Sequence, residues 1–325
     1  VRHKMAAKLS IFYLPNTLQR REAHSMNANT AVQTEFLHEK SKLRKERLRL
    51  FVRRFFANRL AVSGAVIILC MCLFTVFAPL LTPYSPLEID PANRLQPPSA
   101  EHWFGTDNFG RDLFSRVAHG GQVSLIVGFT AALLTALIGM LVGLFAAYFR
   151  VLDHILMRIC DGLMAFPDIL LAIAITAVLG PQPSNVVIAI TIVKIPAMAR
   201  VVRSAALVIK EQTYIEAMRA QGASALRIIL GHIAPNTVSP FLVQTTYVFA
   251  VAIIIEAGLS FLGAGVPAPN PSWGNILYDG KAVIFKAWWM TVFPGIFIIL
   301  SVLGLNMFGD GLRDLLDPHT NKANK

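Results

Sequence analysis

EAMRAQGASALRIILGHIAPN, residues 216–236, lies between two long apolar runs and decides how the whole chain is read. Tyr214 to Ala220 are good helix formers, and Gly222 can close that helix in the left-handed conformation that other residues resist. Ser224 is placed to cap a second helix start, and Pro235 prevents that helix from continuing smoothly into the next apolar run. The spacing predicts two short helices meeting at a corner, a compact knob suited to a groove in a partner protein. An ordinary amphipathic loop helix is the alternative, and the rest of the chain decides between the two.

The 325 residues are 54% hydrophobic, with a mean hydropathy of +0.54, too apolar for a soluble globular protein. Crossing the hydrocarbon takes roughly 20 consecutive apolar residues. Candidate spans cover about 60–82, 122–149, 163–181, 185–205, 237–263 and 287–309. No charge interrupts the first from Leu60 to Leu87, whereas Pro167 with Asp168 breaks the third and Lys194 with Pro196 the fourth. The first apolar run is too long for a signal peptide and lacks a small-x-small cleavage site, so it is expected to stay as an anchor.

Orientation follows from lysine and arginine near the helix ends. Lys40, Lys42, Arg44, Lys45, Arg47, Arg49, Arg53, Arg54 and Arg59 precede the first span. After it, Arg94, Arg111 and Arg116 face Glu88, Asp90, Glu101, Asp107 and Asp112. The N-terminus is therefore expected in the cytoplasm and segment 83–121 outside, and six crossings return residues 216–236 and the C-terminus to the cytoplasm. The net charge of +11 reflects this orientation, and a juxtamembrane basic run argues against a nucleic-acid partner and for membrane lipid. Cys70, Cys72 and Cys160 have no metal-site or disulfide spacing and read as apolar filler. No repeat of 20–50 residues is visible.

The organisation expected is a basic cytoplasmic tail over 1–58, whose first 25 residues precede an expected initiator at Met26. A first span and external segment follow over 59–121, a core over 122–310 with its loop at about 207–236, and a cytoplasmic tail over 311–325. Helical character is expected within the tail from Glu35 to Arg49.

Four further stretches accompany the loop: HWFGTDNFGRDLFS (102–115), EAGLSFLGAG (256–265) with PAPNPSWG (267–274), FPG (293–295) and NMFGDGLRDLLDP (306–318). With Glu216, Ala217, Gly222, His232 and Pro235 at the spacing of an EAA loop, they resemble the C-type permease subunit of dipeptide, oligopeptide and nickel ABC importers, over about residues 45–320. The resemblance implies an all-α membrane protein of the type I importer fold, with six transmembrane helices and a cytoplasmic EAA coupling loop, in a bacterial inner membrane. It implies a homologous B-type permease subunit, two cytoplasmic ABC ATPases docked on the EAA loops, and an extracytoplasmic substrate-binding protein. The chain has no G-x-x-x-x-G-K-[ST], so it is expected not to be an enzyme. ATP and Mg belong to the partner ATPases, and no cofactor or metal is expected here. Met218, Ala234, Gln122 and Lys194 with Ile195 depart from the family pattern.

Individual residues carry further expectations. Glu256, a carboxylate in an apolar run, serves an outer gate or reaches interfacial water. Lys194 is expected to snorkel. Gly105, Asp107, Arg111 and Asp112 suggest loop-ordering salt bridges or a binding-protein contact rather than a catalytic carboxylate pair. Gly139 and Gly143 suit close helix approach. Asn306 and Gly309 are expected to let the last helix end, with Asp310, Arg313, Asp314 and Asp317 marking the boundary. His232 lacks partners for chemistry and is assigned to docking or the helix corner. The runner-up function is an ATPase-independent secondary transporter or channel, which would favour internal symmetry and paired broken helices.

Overall fold

The computed structural model describes residues 52–316 and, ahead of them, Lys42, Glu46, Arg49 and Leu50. Contacts divide the chain into Val1–Ala57 and Asn58–Lys325. In the first unit the described residues are helical, including Lys42, Glu46 and Arg49 from the helix expected in the tail. The expected initiator Met26, most of that tail, and residues 317–325 of the C-terminal tail, Asp317 among them, lie outside the described residues.

In the second unit, α1 (Arg59–Val76) begins behind Asn58, whose side chain accepts the Ala61 N–H at 3.1 Å. After the short α2 (Ala78–Leu81) and an irregular segment comes α3 (Leu113–Tyr148), 36 residues long. Next are α4 (Arg150–Met164), α5 (Asp168–Leu179) and α6 (Pro183–Lys210). The loop contributes α7 (Thr213–Ala220), α8 (Ala225–Ile228) and α9 (Ala234–Asn236). Then come α10 (Val238–Phe261), α11 (Trp273–Lys281) and α12 (Trp289–Leu316). By length and composition α1, α3, α6, α10 and α12 can each cross a membrane, and α4 with α5, bent by 93° at their break, makes a sixth if the pair counts as one span.

Three boundaries differ from the sequence expectation, each for a physical reason. α3 starts at Leu113 rather than 122 because Asp112 caps it, accepting the Ser115 N–H at 2.7 Å. At about 1.5 Å per residue this helix exceeds the hydrocarbon thickness, so its first turns stand in the irregular segment. The third span is not continuous: Pro167 removes a donor and drives Phe166 away from helical angles. The last helix does not end at Asn306 or Gly309 but runs to Leu316. There the glycines serve packing: a Cβ on Gly309 would lie 2.3 Å from Thr246 Oγ1, and one on Gly311 2.4 Å from the Ala61 nitrogen.

The tightest seam joins α3 to α6. A Cβ on Gly139 would sit 2.5 Å from Met198 Cγ, and one on Gly143 2.6 Å from the Ala199 oxygen, so only hydrogen fits at either position. Around the seam, Leu144, Ala147, Met198, Val202 and Ala206 form an apolar cluster that continues into the loop. A second cluster, built on Trp273, Trp289, Leu113 and Ile276, closes the opposite end of the bundle.

Candidate functional site

The loop is seated on the ends of α3 and α6. α7 closes through Gly222 at φ +78°, whose N–H bonds the Arg219 oxygen at 3.0 Å while the Ala223 N–H bonds the Met218 oxygen at 3.0 Å. These are the two bonds of a left-handed helix terminus. A Cβ at Gly222 would meet nothing within 4 Å, so the backbone angle rather than space requires glycine. Ser224 occupies the position before α8 with an extended backbone, as expected, but its side chain makes no capping bond. A π-helical turn over Ile229–Ile233 leads into α9 at Pro235. The Asn236 amide donates to the His232 oxygen at 2.6 Å, serving a carbonyl near this irregular turn.

The two faces of the knob differ. Ile215, Ile228, Ile229 and Ile233 are buried against α3 and α6. Lys210 Nζ donates to the carbonyls of Ala147 at 2.7 Å and Tyr148 at 3.1 Å, satisfying the end of α3. The Arg219 guanidinium lies 5.1 Å from the Tyr148 ring. Outward stand Glu216, Ala217, Gly222 and Pro235, all exposed, with His232 half-buried. Beside them Tyr214, Leu226 and Leu230 are 44%, 57% and 55% exposed.

At the other end of α3, residues 102–116 fold into an ion-paired cap. Asp107 is fully buried. Its Oδ1 accepts the Phe109 and Arg111 N–H groups at 2.8 and 3.0 Å, and its Oδ2 accepts Arg111 Nε at 2.6 Å. Arg116 Nε stands 3.3 Å from the same Oδ2. Both guanidinium groups reach Asp279 on α11, at 3.4 and 3.5 Å. Burial raises the Asp279 carboxyl above the usual carboxylate range, against the opposing pull of Arg116 and Arg111. His102 Nδ1 bonds Asp112 Oδ1 at 2.9 Å, and Trp289 Nε1 donates to the Thr106 oxygen at 3.0 Å. Gly105, at φ +76°, would place a Cβ 2.5 Å from the Gln96 oxygen. The carboxylates of Asp107 and Asp112 are thus both engaged within the segment, Asp107 by Arg111 and Asp112 by His102 and the Ser115 N–H.

Two expectations for charged residues in the spans require correction. Glu256 does not reach interfacial water: it is fully buried, its Oε1 accepting from Ser260 Oγ at 2.8 Å. Lys194 does not snorkel, because the broken span brings Asp168 within bonding reach of its Nζ. Two further pairs hold α4 to α6: Arg203 with Asp153 at 2.5 and 2.7 Å, and Arg200 with Asp161 at 2.5 Å.

Sequence reasoning missed Arg116, Asp279 and the partnership of Asp168 with Lys194. For the last a signal existed, since Asp168 is the sole acidic residue from 162 to 210. For Asp279 none did, because only the fold brings α11 beside residue 111.

Five helices long and apolar enough to cross a membrane, a bent pair that allows a sixth, and a helical loop between two of them define a multi-pass membrane protein. Comparison with known proteins makes this specific. Residues 139–322 match the family described as binding-protein-dependent transport system inner membrane component, and residues 47–98 match the N-terminal TM domain of oligopeptide transport permease C. A putative peptide transport system permease protein of Brucella abortus is 52% identical, over 83% of this chain and 91% of that protein. The dipeptide transport system permease protein DppC of Alkalihalophilus pseudofirmus is 51% identical, over 80% and 86%. The glutathione transport system permease protein GsiD of Escherichia coli is 47% identical, over 82% and 89%. A chain from an inward-facing MetNI methionine ABC transporter shares the fold, with a TM-score of 0.53 and 20% identity over 62% of this chain and 97% of that one.

The chain belongs to the binding-protein-dependent transport system inner membrane component family. It is a membrane permease subunit of an ABC importer, with ATP hydrolysis carried by separate ATPase subunits and cargo presented by a binding protein. The ATPase-independent alternative falls with this result.

Proposed function

We propose that this chain forms one half of a peptide translocation path and is driven through the loop at 213–236. The two-faced knob carries the proposal: four isoleucines anchor it to α3 and α6, while Tyr214, Leu226 and Leu230 stand exposed beside Glu216 and Ala217. Exposed apolar residues on a rigid, polar-rimmed corner suit a protein groove. The occupant of choice is a cytoplasmic ATPase, with a homologous B-type permease completing the path and a second ATPase beneath it. ATP and Mg act in those ATPases. Glu216, Ala217, Gly222, His232 and Pro235 form the coupling surface in this account. The buried network of Asp107, Arg111 and Asp112, with Gly105, shapes an external face for the binding protein, and Glu256 holds the outer end of α10.

Positive charge before α1 and around the loop supports cytoplasmic termini. The names of the relatives cover peptide, dipeptide and glutathione transport, which favours a zwitterionic peptide as cargo. The test is cross-linking from Ala217→Cys in a chain whose Cys70, Cys72 and Cys160 are replaced by serine, within the assembled transporter. A cross-link to an ATPase subunit is expected. ATPases that copurify yet never cross-link from this site would overturn the docking assignment.

A further inference from the structure

Asp168 and Lys194 are a charged pair for which the coupling account has no use. Lys194 is the twelfth residue of the 28-residue α6. At about 1.5 Å per residue it lies about 16 Å along the axis from Pro183, near the middle of a hydrocarbon layer about 30 Å thick. Asp168 opens α5 directly after the break at Pro167. The Lys194 side chain is only 10% exposed, whereas that of Asp168 is 50% exposed.

A buried ion pair is a poor stabiliser, since apolar residues of similar volume often serve a fold as well. A carboxylate facing lipid at this depth is disfavoured. The exposed side of Asp168 therefore belongs to a water-containing path or to what travels along it. Ionisable side chains within spans face a bundle interior or a water-filled cavity and mark substrate pathways. An ionised carboxylate has two accepting oxygens, and Lys194 donates to Oδ2, leaving Oδ1 for another donor. An ammonium group, as the charge-assisted donor, makes the strongest bond to such an oxygen.

We propose that Asp168 accepts the α-ammonium group of a peptide in transit, with Lys194 as the positioning residue that holds the carboxylate and balances its charge. This rests on the peptide-importer reading and adds a second selection step inside the membrane, after capture by the binding protein. N-acetylation of the peptide removes the ammonium and keeps the backbone, so it isolates the contact.

The experiment uses the complete transporter in proteoliposomes, with Ala-Ala and N-acetyl-Ala-Ala each loaded to saturation on the binding protein. The wild type is expected to move the free peptide faster, and Asp168→Asn to reduce that advantage at least tenfold. The exchange Asp168→Lys with Lys194→Asp retains a pair but reverses its exposed charge, and it too should lose the preference while the ATPases still copurify. An independent measurement places cysteine at 168 in the cysteine-free chain, where a water-soluble cationic thiol reagent is expected to react. Reaction only with a lipid-soluble maleimide would overturn the proposal. So would a preference that survives both Asp168→Asn and the exchange, which would make the pair a strut. A wild-type complex that moves neither peptide would overturn the peptide reading itself, and the inference with it.

Discussion

Asp107 shows how far a single residue's role depends on the fold. Its carboxylate is buried and accepts from two backbone amides and Arg111, with Arg116 beside it. Asp107→Ala would leave two guanidinium groups facing Asp279 alone, a loss of about 3–5 kcal/mol for a broken buried pair. The expected result is a sharply lower thermal unfolding temperature for the purified complex in detergent. Arg111→Ala leaves Asp107 with Arg116, so it should cost less stability and weaken uptake while the ATPases still copurify. Equal destabilisation by the two would show that Arg116 does not support Asp107. The sequence shows charges and glycines in an outer segment, enough to predict ion pairing among near neighbours. Asp279 was invisible because 168 residues separate it from Arg111.

Among the elements, hydropathy finds every continuous span because lipid exposure imposes a nearly uniform apolar composition. It misses α4, where Arg150, Asp153, Arg158 and Asp161 interrupt the apolar residues. Of these, Asp153 and Asp161 pair with Arg203 and Arg200 of α6, and no local pattern announces a partner 39 or 50 residues away. α11 escapes for another reason: it is nine residues long and held by a capping box at Ser272 and Asn275 and by the buried Trp273. Close helix approach was legible from Gly139 and Gly143, whereas α6 as the partner came only from the fold. Gly143→Leu should force the helices apart and cost about 1–3 kcal/mol, as overpacked cores do. Thermal unfolding of the purified complex measures it, and an unchanged midpoint would mean the seam is looser than described. Because the loop rests on this seam, ATPase copurification should fall with stability.

For the whole molecule, the order of motifs fixed the family, while the packing of the loop on α3 and α6 explains how a cytoplasmic event can reach the spans. Orientation can be checked directly: a reporter fused after Asn270 should report the outside and one after Gly222 the cytoplasm, and the reverse at either site would contradict the charge argument. The central claim is that the loop is the joint between ATP hydrolysis and movement of the spans. Gly222 sits at φ +78°, an angle a β-branched residue resists by about 1–2 kcal/mol. Gly222→Val should therefore turn α7 away from α8 without filling any occupied space. Glu216→Ala removes one charge at a wet surface, worth about 1 kcal/mol or less, and should cost less function. The decisive measurement is ATP hydrolysis stimulated by the loaded binding protein, taken together with peptide uptake, in proteoliposomes carrying Gly222→Val. Loss of uptake together with loss of stimulation is the predicted result, with ligand capture by the isolated binding protein unchanged. Uptake and stimulated hydrolysis both at wild-type rates would contradict the account.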